Sequence, residues 1–420
     1  MIGRSTRGQW GGGGRLRLAR VLWVLMTVLA VAAAPLLAAP GRGTPYKIGF
    51  IASITGPGAS LGIPEREVAR IIQERVNAEG GVAGPDGVRH DVQILINDDQ
   101  SLADVAASLA RRLIEQERVQ VLVAGTLSGP SLAMVPIASD ARTPMISMAS
   151  ARAIIEDPQS KRMRPWLFKP VPENLHSAQK QAEYLQAVGI TGVCHLYENT
   201  AYGQDTFASA QALFPKAGIR ILYGDSFDRT GTEFPQVTRV RASGCRAVVI
   251  GSIPPAASLI NVAVAGRVGG RKIVHGHGAC SPDLIRTAGA AAGGTVMPCG
   301  KILVSDQLPA NDPVRRVNLA LIQDYQRATG GQAISTFAGH AFDALSWALL
   351  ALGQVPDGLP LDRARDAVRE ALETKIKNYV GTHGVMSLSP DDHLGFNPAD
   401  FVIVTVREGK FVILPRNQWK

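Results

Sequence analysis

Aromatic residues make up only 5% of this 420-residue chain, and no run of Lys and Arg follows its N-terminal region. Stacking platforms and a continuous basic track are therefore missing, which argues against nucleic acid as a partner. Cysteine is scarce as well. Cys194, Cys245, Cys280 and Cys299 allow one or two disulfides. A Cys280–Cys299 bridge would staple one loop-rich stretch, whereas Cys194 and Cys245 each lie beside an apolar, strand-like run where a buried free thiol fits equally well. No cysteine precedes Cys194, so none stands where an N-terminal lipid anchor would need it.

Acid is absent from residues 1–39, which carry Arg4, Arg7, Arg15, Arg17 and Arg20. An apolar run over 21–37 follows, and then the small residues Ala38 and Ala39. A charged start, an apolar middle and a small-residue exit read as a cleaved secretory signal peptide, with the cut near Ala38 or Ala39. A cut after Ala34 would place Pro35 just beyond it, which is unfavourable. The alternative is an uncleaved anchor, because the run approaches spanning length. Removing residues 1–39 takes away five arginines and no acid, so the formal charge falls from +9 to +4. The expected mature protein is mildly basic and secreted, and no later segment is apolar enough to span a bilayer.

What the chain does have is alternation. Residues 47–54 read as a buried strand running into a Gly/Pro turn. Val68, Ala69, Ile71, Ile72 and Val76 then mark a helix over 65–78. A strand over 91–96, a helix over 102–117 and a strand over 119–124 complete a βαβαβ unit, which needs a parallel sheet covered on both faces. The rhythm restarts at 177–188, with strands at 192–197, 219–223, 247–250 and 272–275 separated by helices. Helices follow at 314–329, 340–352 and 363–375, and a closing hairpin turns at Glu408-Gly409. The fold class is α/β, with two doubly wound parallel-sheet lobes.

Four stretches at strand ends invite a chemical reading. Gly56-Pro57-Gly58-Ala59-Ser60-Leu61-Gly62 sits where a dinucleotide fingerprint would, but its spacing is G-x-G-x-x-x-G, and the acids that end the second strand, Asp98 and Asp99, come about 40 residues on rather than about 20. A tight strand-to-helix turn at a cleft rim fits better. Gly125-Thr126-Leu127-Ser128-Gly129-Pro130-Ser131 places open N–H groups and hydroxyls at a helix start, suited to a carboxylate or simply to capping by Ser128 or Ser131. It lacks the G-x-S-x-G spacing of a hydrolase. Met148-Ala149-Ser150-Ala151 follows a strand whose C-terminal end is where open α/β sheets receive ligands. His275-Gly276-His277-Gly278-Ala279-Cys280 is the one cluster resembling metal ligands, and no Asp, Glu or His partner at motif spacing supports it. No metal or cofactor is expected.

Several motifs in consistent order from Tyr46 onward carry a family resemblance. They are Ile54-Thr55-Gly56-Pro57 with Gly62, Asn77-Ala78-Glu79-Gly80-Gly81-Val82, Asn97-Asp98-Asp99-Gln100, Pro144-Met145-Ile146-Ser147, Tyr202-Gly203, and Gly339-His340-Ala341-Phe342-Asp343-Ala344-Leu345. The chain resembles the type I periplasmic solute-binding proteins, in the leucine/isoleucine/valine-binding class of ABC-transporter receptors. The resemblance implies a Venus-flytrap molecule with three crossovers, near 168–171, 300–303 and 385–388. Lobe one would comprise 40–169 plus 302–386, and lobe two 170–301 plus 387–420. It implies a small-molecule ligand caught by hinge closure, a membrane permease as partner, a monomer, and no catalysis.

Carried over residue by residue, the resemblance puts the ligand's carboxylate at Ser128, Gly129, Ser131, Met148, Ala149, Ser150 and Ala151. Ala151 lacks the hydroxyl expected there, and Ser150 is placed to compensate. Tyr202 matches an aromatic of the second lobe that closes over the ligand, while Ile253 falls near the other. Leu61 stands where an aromatic often lines the mouth. The acid that pairs with an α-ammonium should fall near His277, Gly278 and Ala279, where there is none; a short slip of alignment would offer Asp283. An unpaired buried ammonium is costly, so the site is expected to favour a small organic acid, an aromatic carboxylate among the candidates, over an amino acid. A ligand-sensing domain for a signalling partner, and more remotely a secreted oxidoreductase or hydrolase, are the competing readings.

Overall fold

The computed structural model describes residues 42–419. The expected export segment over 1–39 lies outside the described residues. Numbering only the strands of the two main sheets, the first half runs β1 (Tyr46–Ala52), α1 (Ala59–Ala78), β2 (Val92–Asp98), α2 (Ala103–Glu115), β3 (Val121–Ala124), α3 (Ser128–Asp140), β4 (Met145–Ser147) and β5 (Leu167–Phe168). These strands form a parallel sheet in the order β2-β1-β3-β4-β5. Such a sheet is buried on both faces, and its strands are accordingly apolar: Ile48, Phe50 and Val123 pack into one cluster, Ile51, Leu122 and Met145 into another.

The second half continues α4 (Asn174–Ala187), β6 (Gly192–Glu198), α5 (Ala201–Leu213), β7 (Arg220–Phe227), α6 (Gln236–Ala242), β8 (Ala247–Gly251), α7 (Ala256–Arg267), β9 (Lys272–His275), α8 (Pro282–Ala288) and β10 (Val296–Cys299). The chain then returns to the first lobe with α9 (Pro313–Thr329), α10 (Thr336–Leu352) and α11 (Leu361–Lys375), whose apolar faces join the β1 cluster. It ends in the hairpin β11 (Val402–Arg407) and β12 (Lys410–Ile413). The second sheet has the order β12-β11-β10-β9-β8-β6-β7, antiparallel only across β10-β11 and β11-β12.

Each sheet has a switch point in its strand order. In the first sheet the connections reverse direction between β1 and β3, and in the second between β6 and β8. At such a point the loops leave the sheet on opposite sides and open a crevice. Each crevice is held by a glycine pressed on backbone. A Cβ on Gly62 would lie 2.1 Å from the Ser53 carbonyl oxygen, and one on Gly203 would lie 1.9 Å from that of Glu198. Only glycine permits so close an approach. It also explains why α1 begins at Ala59, inside what the sequence suggested was a turn, rather than at residue 65: with Gly62 seated on Ser53, the helix starts directly at the rim.

The chain passes between lobes at 169–173, over 300–308, where Ile302 joins the β1 cluster while Val304 still packs with Cys299 and Phe411, and again near 401. The last crossing is later than the 386–387 boundary that the sequence suggested. Leu388 packs in the β1 cluster, Leu394, Phe396 and Phe401 pack with Ile154 and Leu167, and β11 begins only at Val402. His393 anchors this return, donating from Nδ1 to the Leu167 carbonyl (2.8 Å) and stacking on Phe168. Both cysteine pairs are bridged. Cys280 joins Cys299, and Cys194 joins Cys245 where a free thiol had been an equal expectation.

Candidate functional site

The loops that follow β1, β3 and β4 face the loops that follow β6, β8 and β9 across a cavity of about 250 Å³. Its wall is largely apolar, and five side chains from both lobes (Leu61, Leu127, Tyr202, Ile253 and Phe337) form one buried cluster that closes it. The Ser60 hydroxyl donates to the Pro254 carbonyl at 2.9 Å, joining the lobes directly.

On the first-lobe side the N-terminus of α3 opens onto the cavity. Leu127 holds the cap position in extended backbone, and no side chain caps the helix, so neither Ser128 nor Ser131 plays the capping part suggested for it. The first-turn N–H groups of Ser128 and Gly129 have no intrahelical acceptor, and they carry the positive end of the helix dipole. Ser128, Gly129, Met148, Ala149 and Ser150 line the cavity. Ser131 and Ala151 do not: the Ser131 hydroxyl donates to the Gly125 carbonyl (3.2 Å) and accepts from Ser147, and Ala151 packs in the apolar cluster with Ile154. Thr126, which the sequence reading passed over, also lines the wall; its hydroxyl accepts from the Ser53 N–H (2.9 Å) and donates to the buried Glu65 carboxyl.

On the second-lobe side Tyr202, Ile253, His277 and Gly278 line the wall. The Tyr202 hydroxyl accepts the Gly278 N–H at 3.0 Å, and burial, with Glu198 nearby, pushes the phenol well above its ordinary pKa. Burial holds His277 neutral, its pKa lowered to about 3. His275 points elsewhere, with Nε2 2.9 Å from Asn261 Oδ1, and Cys280 is committed to its disulfide, so the three groups of the metal-like cluster do not converge. Among the described residues no group of three or more His, Cys, Asp or Glu could hold a metal ion.

The sequence reading also missed the charged pair in this wall. Glu198 ends β6 and is fully buried; Arg229 follows β7, its side chain 11% exposed and its Nη1 3.9 Å from Glu198 Oε1. Sheet register brings them together, since Glu198 pairs with Phe227. No acid falls near His277, but Glu198 brings one into the cavity wall from a different strand. Asp283 does not supply it: that side chain lies outside the cavity and pairs with Arg286 at 2.8 Å. Phe337 and His340 complete the wall from α10. His340 belongs to the stretch quoted for its family pattern and Phe337 stands just before it, with no periodicity or spacing to mark either as a lining residue.

The sequence matches the periplasmic binding protein family over residues 45–410. An extracellular ligand-binding receptor from Rhodopseudomonas palustris is 27% identical, with a TM-score of 0.79 over 88% of this chain and 99% of that one. LivJ from Streptococcus pneumoniae, a branched-chain amino acid transporter substrate binding protein solved with isoleucine, is 21% identical with a TM-score of 0.72 over 87% of this chain and 97% of that one. At that identity it speaks for the fold alone. The Leu/Ile/Val-binding protein homolog 7 of Brucella abortus is 26% identical over 211 residues, which is 48% of this chain and 50% of that protein. The chain spans about half the length of the first curated relatives it matches. Two lobes meeting over a shared cavity, and a family match over nearly all the described residues, give one result: the chain belongs to the periplasmic binding protein family, in the type I class that includes the branched-chain amino acid receptors.

Proposed function

We propose that this protein is the periplasmic receptor of an ABC importer, capturing a small carboxylate with an apolar body between its lobes and handing it to a membrane permease. The observation that carries this reading is the uncapped N-terminus of α3, which opens into a cavity otherwise closed by the Leu61, Leu127, Tyr202, Ile253 and Phe337 cluster. Donors suited to an anion stand at one side, and apolar surface suited to the rest of the ligand surrounds them. Binding, rather than catalysis, is the activity such an arrangement supports, with closure of the lobes as its conformational step. The ligand is proposed to lack an α-amino group, with aromatic carboxylates as leading candidates.

A free amino acid is the second reading, and Glu198 in the wall is the observation that favours it. Thermal unfolding of residues 40–420 against aliphatic acids, aromatic carboxylates and amino acids tests both, because a ligand of the native state raises the midpoint by mass action. A rise with any carboxylate of the panel supports the receptor. No rise with any of them counts against capture of a carboxylate.

A further inference from the structure

Glu198 and Arg229 have unequal surroundings. Both oxygens of the buried Glu198 carboxylate are engaged: Oε1 accepts from the Thr200 hydroxyl at 2.6 Å, and Oε2 accepts from the Ser252 hydroxyl at 2.8 Å and the Ile253 N–H at 3.2 Å. Those donors are neutral, so a counter-charge is still needed. Arg229 provides it from 3.9 Å, while its own Nη2 is buried with no partner among the described residues. The loop that carries the arginine is itself fixed, its N–H donating to Asn199 Oδ1 at 3.2 Å.

A zwitterionic ligand would bring its own cation to a buried carboxylate. Here the protein already supplies one. We infer that Arg229 is the specificity-determining residue of the cavity: its guanidinium holds the position beside Glu198 that a ligand ammonium would need, so the site selects carboxylates without an α-amino group. An ammonium entering this wall meets a like charge in a poorly solvated space, where repulsion is strong.

The opposite wall points the same way. The Ser150 carbonyl, an acceptor beside the carboxylate donors, is taken by the buried Lys169, whose Nζ donates to it at 2.6 Å. Lys169 in turn lies 3.8 Å from Glu173, and Glu173 is paired with Arg152 at 2.8 Å. The Glu198 carboxylate and the Ser150 carbonyl are thus already paired with cations of the protein.

The inference rests on carboxylate capture in this cavity, and matched ligands separate the two. Isothermal titration and thermal unfolding would use 3-phenylpropionate against phenylalanine, and 4-methylpentanoate against leucine, each pair differing by the amino group alone. The wild-type protein should bind the simple acid at least ten-fold more tightly than its amino acid. Arg229→Met should reverse that order, Arg229→Lys should keep it, and Glu198→Gln added to Arg229→Met should abolish the gain for the amino acid. If Arg229→Met does not fold, the double variant, neutral at both positions, still decides: it should bind the two members of a pair within about three-fold. Unchanged preference in Arg229→Met or in the double variant, or a wild-type preference for the amino acids, overturns the role of Arg229 and leaves the receptor standing. Binding of neither member, together with no response to any other carboxylate, removes the capture reading itself.

Discussion

The hydroxyl of Ser60, on the first turn of α1, donates to the carbonyl oxygen of Pro254 in the loop after β8 at 2.9 Å. One lobe thereby touches the other at the rim of the cavity, beside the cluster that Leu61 and Ile253 share. Under the proposed hinge closure the bond forms only when the lobes close, so it is expected to contribute to ligand retention and little to the stability of either lobe. Ser60→Ala is expected to weaken ligand binding two- to ten-fold, the equivalent of about 0.5–1.5 kcal/mol for one net hydrogen bond, mostly through faster release. Stopped-flow dissociation checks this, and a variant that lost several degrees of unliganded midpoint would contradict it.

The Tyr202 hydroxyl accepts the Gly278 N–H at 3.0 Å and ties the loop after β9 to α5. Both residues line the cavity, and Tyr202 is buried. Tyr202→Phe keeps the ring but leaves a buried N–H without its acceptor, at a cost of about 1–3 kcal/mol. Urea unfolding should show that loss, and titration should show weaker binding, because the loop carrying His277 loses one of its ties to the wall. Unchanged stability would mean that Cys280–Cys299 and the Ser177 hydroxyl, which accepts the His277 N–H at 3.3 Å, fix the loop without it.

How far the sequence revealed this site depends on what kind of signal each residue leaves. The strands and helices announced themselves by period, because a parallel sheet buried on both faces demands apolar runs such as 121–124 and 247–250. Ser128, Gly129, Met148, Ala149, Ser150, His277 and Gly278 line the cavity from loops that the sequence marked at strand ends, and Tyr202 and Ile253 line it at positions that only the family resemblance pointed to. Glu198 and Arg229 left no such trace. They stand 31 residues apart, neither belongs to a local pattern, and only the register of β6 against β7 makes them neighbours. Ser131 misled for the converse reason: a hydroxyl at a helix start looks like a ligand donor or a cap, whereas here it turns inward to Gly125. The late third crossing was hidden because residues 387–401 contain almost no regular structure, and side chains such as Phe396 and Phe401 decide where they pack.

The two disulfides should differ in consequence. Cys280–Cys299 closes a separation of 19 residues just beyond His277 and Gly278, while Cys194–Cys245 spans 51 residues at the end of the second sheet away from the cavity. Chain-entropy arguments give about 3 kcal/mol for the shorter loop and about 4 kcal/mol for the longer. Replacing either pair by serine should lower the unfolding midpoint in non-reducing buffer. Only the loss of Cys280–Cys299 should also weaken ligand binding, since it releases a wall of the cavity. Equal effects of both pairs on binding would contradict this division.

Acid should destabilise the protein through its buried histidines, and His195 isolates the effect. Its ring lies among Phe207 (5.3 Å), Tyr197 (6.1 Å) and Phe214 (6.5 Å), neither ring nitrogen has a partner among the described residues, and burial lowers its pKa to about 3. His275 and His277 are lowered to about 3 by the same cause. In the unfolded chain each takes up its proton near pH 6.5, so between pH 6.5 and 3 the unfolded state binds more protons than the folded one. Stability contributed by neutral burial is complete above about 6.5 and declines as pH falls through that window, by about 1.4 kcal/mol per pH unit for each histidine. Glu65 acts in the opposite sense. Burial raises its carboxyl pKa, so its contribution is lost as pH rises above the ordinary carboxylate range, and it offsets part of the histidine slope. His195→Leu removes one histidine from a purely apolar contact without touching the cavity. Urea unfolding at pH 7.5, 6, 5 and 4 should show a shallower acid slope in this variant, with stability at pH 7.5 equal to or above that of the wild type; an unchanged slope would mean that His195 does not remain neutral in the folded protein.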